Sequence, residues 1–545
     1  MTAVADAPRI TAVTRRSRQL AGTGTLLRLA LRRDRVMMPV WVLVVGGMVV
    51  SGVGSLETLY ATQAERADVA RSMSANSSMR SLYGPVFGDS VGGLVAWRFG
   101  IFAAVLAAVM SLVIVVRHTR EEEETGRQEL LSSAVVGRRA PLTAALLTAL
   151  VANTAVALVI TAGLAGQGAG GALALGLAVG GTGMVFATMA ASVAQITESA
   201  RLAKGVTAAV LGFAFVLRAA GDAGGTSQAG GLGGGSSVLT WLSPIGWAEN
   251  VRAFASERWW VLLLIAAAVT AQAVIAYELT GRRDMGMSFL PARPGPAEGK
   301  LAGAGALARR LQRGSVLGWT LGFLLAGVVF GGMVEGAADL VGDNERAREI
   351  FERMGGQSAL TDAFLATMAG MFGMIAALYV VASVLRLHGE ETSQRAEPVL
   401  AGAVGRLRWA SGHLLIAFGG AVLIMTVAGI GLSLAYGQDL GPILGACLVQ
   451  LPAVWTLGGL AVLLYGAFPK AAVAAWGGAG LSLALGWIGP ALNLPQSVLN
   501  LSPFAHLPKL PGPETAWTPV LTLTALAVVL VAAGLVGLRR RDMTT

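Results

Sequence analysis

The run LLTALVANTAVALVITAGLAG, residues 146–166, carries no charged side chain, and runs like it recur along the chain. In hydrocarbon no water is available to the peptide groups, so only a helix or a closed barrel satisfies the backbone. About 20 apolar residues make a helix that crosses the bilayer core. Barrel strands would alternate apolar and polar side chains, and these runs do not. The expected fold is therefore an all-α polytopic membrane protein. Composition agrees: of 545 residues 54% are hydrophobic and 13% charged, and the mean hydropathy is +0.65.

About twelve spans are predicted. They lie near 36–56, 97–116, 142–164, 172–195, 204–220 and 259–280, then 316–337, 363–385, 413–435, 443–467, 471–491 and 518–538. The fifth is short and carries Arg218; the eleventh contains Gly and Pro. The first begins too far from the N-terminus, and is too long, for a cleaved signal, and reads as an uncleaved anchor. With the N-terminus in the cytoplasm, 30 of the 41 Lys and Arg fall on the inner side. Orientation follows these residues, so both termini are expected in the cytoplasm.

The chain repeats. GRRDM (281–285) follows the sixth span and RRRDM (539–543) the twelfth; WLSPIGW (241–247) and NLSPFAH (500–506) precede those same spans. Each half then has six spans and the same topology. That predicts two parallel pseudo-repeats about an axis along the membrane normal, with a path between them. The first half is 1–284, with an interfacial helix at Thr25–Val36, a polar segment at 117–140 and an outer loop at 221–257. Residues 285–315 form a cytoplasmic linker and a second interfacial helix. The second half is 316–545, with its polar segment at 386–410. Outer segments Ala61–Gly84 and Gly342–Gly356 are predicted helical, and glycine-rich Asp222–Ser237 flexible.

The polar segments are the distinctive feature. REEEETGRQELLSSAVVGRR (120–139) follows the second span, and HGEETSQRAEPVLAGAVGRLR (388–408) follows the eighth. One charge at mid-bilayer costs about 2.5–3.5 kcal/mol, so Glu121–Glu124 must lie in water or protein. Arg127, Glu129, Gly137 and Arg138 match Arg395, Glu397, Gly405 and Arg406, all at offset 268. The second copy is read as carrying one inserted residue, and it has Pro398 where the first has Leu130; proline is tolerated only in a first helical turn. A solvated turn would explain one such segment. Repetition favours a docking helix offered to a symmetric partner, with Leu130 and Leu131 on its apolar side.

Other chemistry is sparse. GPAEGKL (295–301) lacks the spacing and hydroxyl of a phosphate loop, and GQGAGG (166–171) is an outer turn. No nucleotide or other cofactor is expected on this chain. The four histidines share no metal-ligand spacing, and no catalytic constellation appears. The lone Cys447 reads as a small core residue. Asn153, Thr154, Gln272 and Gln450 lie within spans, as interhelical bonds or as the lining of a substrate path.

EEETGRQELLSSAVVGR and EETSQRAEPVLAGAVGR resemble the coupling segment of ABC-2-type transporter permeases, and LSPIGWAENVRAF and LSPFAHLPKL resemble that family's Ser-Pro segment. A fused, two-half chain is most similar to the actinobacterial polyketide-antibiotic and multidrug exporters. The resemblance implies an ATP-driven exporter subunit in the bacterial cell membrane that carries small apolar or amphipathic compounds and binds no nucleic acid. It implies two copies of a separate ABC ATPase subunit, which would hold ATP and Mg. Their docking residues would be Glu123, Glu124, Arg127, Glu129, Leu130, Leu131 and Arg138, then Glu390, Glu391, Arg395, Glu397 and Arg406. The alternative is a proton-coupled drug antiporter of the major-facilitator kind, which also has six plus six spans. It should carry a mid-membrane carboxylate, and none is evident. A membrane enzyme or assembly factor, a third possibility, would need a catalytic cluster.

Overall fold

The structure is a computed structural model. It describes residues 19–127, 136–224, 236–283, 288–289, 299, 301, 303–334, 360–437, 440–487, 495–511 and 517–543. Every regular element among them is helical. The chain divides into two compact units, Met1–Pro294 and Gly295–Thr545.

Unit 1 begins with α1 (Thr23–Arg33), an amphipathic helix whose Arg32 and Arg33 stand at its negative C-terminal end. A helix therefore stands where the sequence predicts an interfacial one, and it packs on α7. The spans and their connectors follow as α2 (Met37–Leu59), α3 (Gln63–Ala75), α4 (Ser77–Tyr83), α5 (Val91–Arg117), α6 (Arg120–Glu124) and α7 (Ala140–Leu164). Next come α8 (Ala169–Ile196), α9 (Ala200–Ala223), the short α10 (Val238–Leu242) and α11 (Pro244–Asn250), and α12 (Trp260–Arg282). The expected helicity of Ala61–Gly84 is realised in α3 and α4. In α3, Thr62 and Glu65 form a reciprocal capping box. Residues 225–235 of the glycine-rich loop lie outside the described residues.

Unit 2 contains α13 (Ala304–Gly331), α14 (Leu360–Thr392), α15 (Glu397–Leu400), α16 (Arg406–Tyr436), α17 (Leu440–Leu448) and α18 (Leu451–Ala467). It ends with α19 (Ala475–Trp487), α20 (Gln496–Leu499) and α21 (Trp517–Arg540). The expected second interfacial helix is not separate: its basic residues Arg309, Arg310 and Arg313 sit on the first turns of α13 itself. No proline or left-handed residue breaks the chain there, so the helix runs on. The predicted helix at Gly342–Gly356 lies outside the described residues.

Among the described residues eleven helices are long and apolar enough to cross a bilayer: α2, α5 with α6, α7, α8, α9, α12, α13, α14, α16, α17 with α18, and α21. The eleventh predicted span, 471–491, is not one of them. Its helix α19 has 13 residues, about 20 Å at 1.5 Å per residue, short of the roughly 30 Å core. Pro469 and a 3-10 turn separate it from α18, and 488–494 lie outside the described residues.

Burial separates inner from outer helices. Within the most apolar stretch of α8, 72% of residues are buried, against 17% in α12. The outer helices present Leu263 and Val274, Leu317 and Leu321, Leu521 and Val528 outward, a surface suited to lipid tails. Inner contacts rest on close backbone approach. A Cβ at Gly176 of α8 would fall 2.6 Å from the Ala157 carbonyl oxygen, and one at Gly327 of α13 would fall 2.6 Å from that of Ala428. Larger residues there would wedge the helices apart.

Candidate functional site

The glutamate block sits at the end of α5, where the chain leaves its span and turns through α6. Its carboxylates are bonded to neighbouring elements. Glu121 pairs with Lys204 of α9, and Glu122 pairs with Arg33 of α1. Glu123, with only 8% of its side chain exposed, pairs with Arg120 on its own helix and with Arg283 beyond α12. The Glu124 carboxylate accepts the Ala200 N–H at 2.8 Å, placing a negative charge at the positive end of α9. Beside them, Asp34 is fully buried and meets His118 at 2.6 Å and Arg117 at 3.1 Å. Four consecutive glutamates thus tie the ends of α1, α5, α9 and α12 together.

In unit 2 the corresponding residues stand on the last turn of α14. Glu391 is buried; its oxygens accept bonds from Arg541 at 2.6 and 2.7 Å and from the Tyr465 hydroxyl at 2.7 Å. These bonds hold the Arg541 guanidinium still further toward its charged form, against the opposing effect of burial. Glu390 is paired with Arg386 at 3.5 Å.

The two arrangements correspond residue for residue. Arg283 and Arg541 are the third residues of GRRDM and RRRDM. Arg138 donates to the Arg283 carbonyl, and Arg406 donates to the Arg541 carbonyl at 2.6 Å. In each unit, therefore, a glutamate after the second span clasps the arginine after the last span, and the arginine closing the polar segment holds that arginine's backbone. Glu123 and Glu391, like Arg138 and Arg406, differ by 268 positions. The backbone turns at Gly126 (φ 70) and Gln394 (φ 58) stand at that same offset. The offset is constant throughout, so the expected inserted residue is absent.

Of the residues expected to dock a partner, Glu123, Glu124, Arg138, Glu390, Glu391 and Arg406 are thus used within their own unit. Arg127 keeps 54% of its side chain exposed, and Arg395 and Glu397 are exposed. Pro398 does stand in the first turn of α15. Beside α15 lies a groove of about 460 Å³ lined by Glu397, Leu400, Ala401, Val404 and Met543, among others. Glu129, Leu130 and Leu131 lie outside the described residues.

The polar residues within spans do not converge. Asn153 is buried and donates to the Ser111 hydroxyl and the Ala149 carbonyl, both at 2.8 Å. Gln272 accepts from Thr188 at 2.7 Å. Thr154 is exposed. Gln450 is buried at the junction of α17 and α18, against Gly373.

Sequence reasoning missed one cluster. At the other end of α9, Arg218 is fully buried and pairs with Asp222 one turn on, at 3.2 Å, and with Glu249 of α11 at 3.7 Å. The i, i+4 spacing of Arg218 and Asp222 was a legible signal. Glu249 was not, because it follows 27 residues after Asp222.

Residues 301–539 match the family model of the C-terminal domain of the multidrug efflux system permease Rv1217c. Over 534 residues the chain is 43% identical to the multidrug efflux system permease protein Rv1217c of Mycobacterium tuberculosis (strain ATCC 25618 / H37Rv). That match covers 96% of this chain and 95% of the relative.

Proposed function

The chain belongs to the family of the multidrug efflux system permease Rv1217c, and from that premise we propose that it is the transmembrane subunit of an ATP-driven exporter of small apolar or amphipathic compounds. The observation that carries this reading is the duplicated clasp. In each unit, Glu123 or Glu391 fixes the root of the polar segment to the arginine beyond the last span. A segment anchored at its root can transmit force, whereas a merely solvated turn needs no anchor. Two such segments suit two copies of one ATPase subunit, which would bind ATP and Mg and push the two units between alternate openings. In this reading the clasped ends and both termini face the cytoplasm, the side favoured by the basic residues.

Co-expression with the partner ATPase subunit tests it. Transport should require that subunit, and the pure chain should turn over no ATP. Truncating a buried interface anchor costs more than about 2 kcal/mol, and rim charges cost less. Leu131→Asp should therefore abolish co-purification or uncouple hydrolysis from transport, and Glu397→Arg should weaken both more mildly. Full assembly and transport in the double variant would reduce the polar segments to solvated turns. For orientation, single cysteines at Ser77 and Ser236, with Cys447 replaced, should label from outside; labelling only after permeabilisation would reverse it.

A further inference from the structure

We propose that Asp222 and Glu249 form a proton-binding site, with one proton held between their carboxyl groups at the end of α9 remote from the clasp. The argument begins with charge. Arg218 is the guanidinium common to both carboxylates, and its Nη2 is already committed to the carbonyls of Ser81 and Leu82 at 2.9 and 3.0 Å. Of the other charged groups around the pair, Arg252 also feels the Glu249 charge. Arg80 of α4 donates to the backbone carbonyls of Asp222 and Ala223, both at 3.2 Å. Arg98 lies over the Tyr83 ring, and Arg252 over the Phe87 ring at 4.4 Å. Arg258 acts on Arg252, one charge further out.

Hydrogen-bond accounting leads to the same place. Asp222 Oδ1 accepts from the Thr240 hydroxyl at 2.7 Å. Among the described residues nothing donates to Asp222 Oδ2 or to either oxygen of Glu249, and all three are buried. Only 6% of the Glu249 side chain is exposed, and the two carboxyls converge on one nitrogen, Arg218 Nη1, with Asp222 Oδ2 at 3.2 Å and Glu249 Oε2 at 3.7 Å. Two ionised carboxylates would set acceptor against acceptor. One proton converts that contact into an O–H···O bond and leaves Asp222 and Arg218 as a neutral pair. Burial, reinforced by the Asp222 charge, holds the Glu249 carboxyl well above its ordinary value, although Arg218 pulls the other way. A cavity of about 40 Å³, lined by Glu249, Tyr83, Phe87, Trp97 and Arg252 among others, has room for a water molecule. A proton can enter there while the aromatic walls keep bulk solvent out.

The bound proton lets α11 lie against α9. Because the folded-state value of Glu249 is raised, the stability it contributes is complete below the ordinary glutamate value of 4.5 and is lost as pH rises through the folded value. The test of the site needs no ATPase subunit. The full-length chain in bilayer discs would be followed by infrared spectroscopy and by melting temperature against pH. At neutral pH a buried carboxylic acid carbonyl band should be present. Glu249→Gln should remove it. Asp222→Asn should also remove it, because Glu249 then ionises against Arg218. The wild-type melting temperature should fall as pH rises above 5, and Glu249→Gln should be flat over the same range. A band unchanged in both variants, or parallel melting curves for wild type and Glu249→Gln, would overturn the proposal. If Glu249→Gln fails to fold, loss or persistence of the band in Asp222→Asn decides it.

Discussion

Glu123 and Glu391 occupy the same place in the two units and are neutralised differently. Glu123 lies between two guanidiniums, Arg120 and Arg283. Glu391 accepts from the Arg541 guanidinium through two contacts and from the Tyr465 hydroxyl. The neighbouring spans differ in the same direction: buried Asp34 meets His118 and Arg117 in unit 1, whereas Gln312 meets His413 at 2.9 Å in unit 2. Unit 1 sets its clasp glutamate between two guanidiniums, and unit 2 adds a neutral hydroxyl donor to a two-contact arginine. The part held constant is therefore the connection, glutamate to post-span arginine, rather than the set of donors around it.

That contrast is open to test. The largest expected effect is Arg541→Ala. It removes the cation bonded to both oxygens of the buried Glu391, a loss of about 3–5 kcal/mol for a broken buried pair. Arg283→Ala should cost distinctly less, because Glu123 retains Arg120. Unfolding of the reconstituted chain by denaturant measures both, and equal losses would break the comparison. Tyr465→Phe comes next, removing one hydrogen bond to a charged acceptor at about 1.5–3 kcal/mol. Glu391→Gln in the same background should recover part of that, since the neutral amide needs less compensation; no recovery would mean that Tyr465 acts through packing alone. The smallest effect concerns the turn. Gly126 and Gln394 both have positive φ, a conformation that costs a side chain about 1–2 kcal/mol. Gly126→Gln should lose about 1 kcal/mol by the same measurement. Gln394→Gly should change stability by a few tenths only, because relief of strain is offset by added freedom of the unfolded chain. A large gain in Gln394→Gly would show that unit 2 holds its turn under real strain.

The sequence made the spans legible wherever a long apolar run had no internal stop. The structure differs at 471–491, where the described helix, Ala475–Trp487, has 13 residues and starts after a 3-10 turn. The repeat was legible too, since both polar segments and both RRDM endings could be aligned. The clasp was not. Glu123 and Arg283 are 160 residues apart and Glu391 and Arg541 are 150 apart, and neither helical periodicity nor local spacing encodes such a pairing. Sequence alone offers the glutamates as docking residues; it does not show that Glu121, Glu122 and Glu123 pair within their own bundle. Arg218 was noticed only as a flaw in the fifth span; its buried acceptors, Asp222 and Glu249, explain why the span tolerates it.

The clasp also fixes an order of events during synthesis. The chain grows from its N-terminus, so Glu391 enters the membrane rim 150 residues before Arg541 exists to meet it. In unit 1 Glu123 waits through 160 residues for Arg283. Each clasp can therefore close only after the last span of its half has been made, and only if the intervening crossings return the arginine to the glutamate's side. A span inserted in the wrong direction would carry that arginine across the bilayer and leave a buried carboxylate uncompensated, a defect by which the cell could recognise the misassembled half.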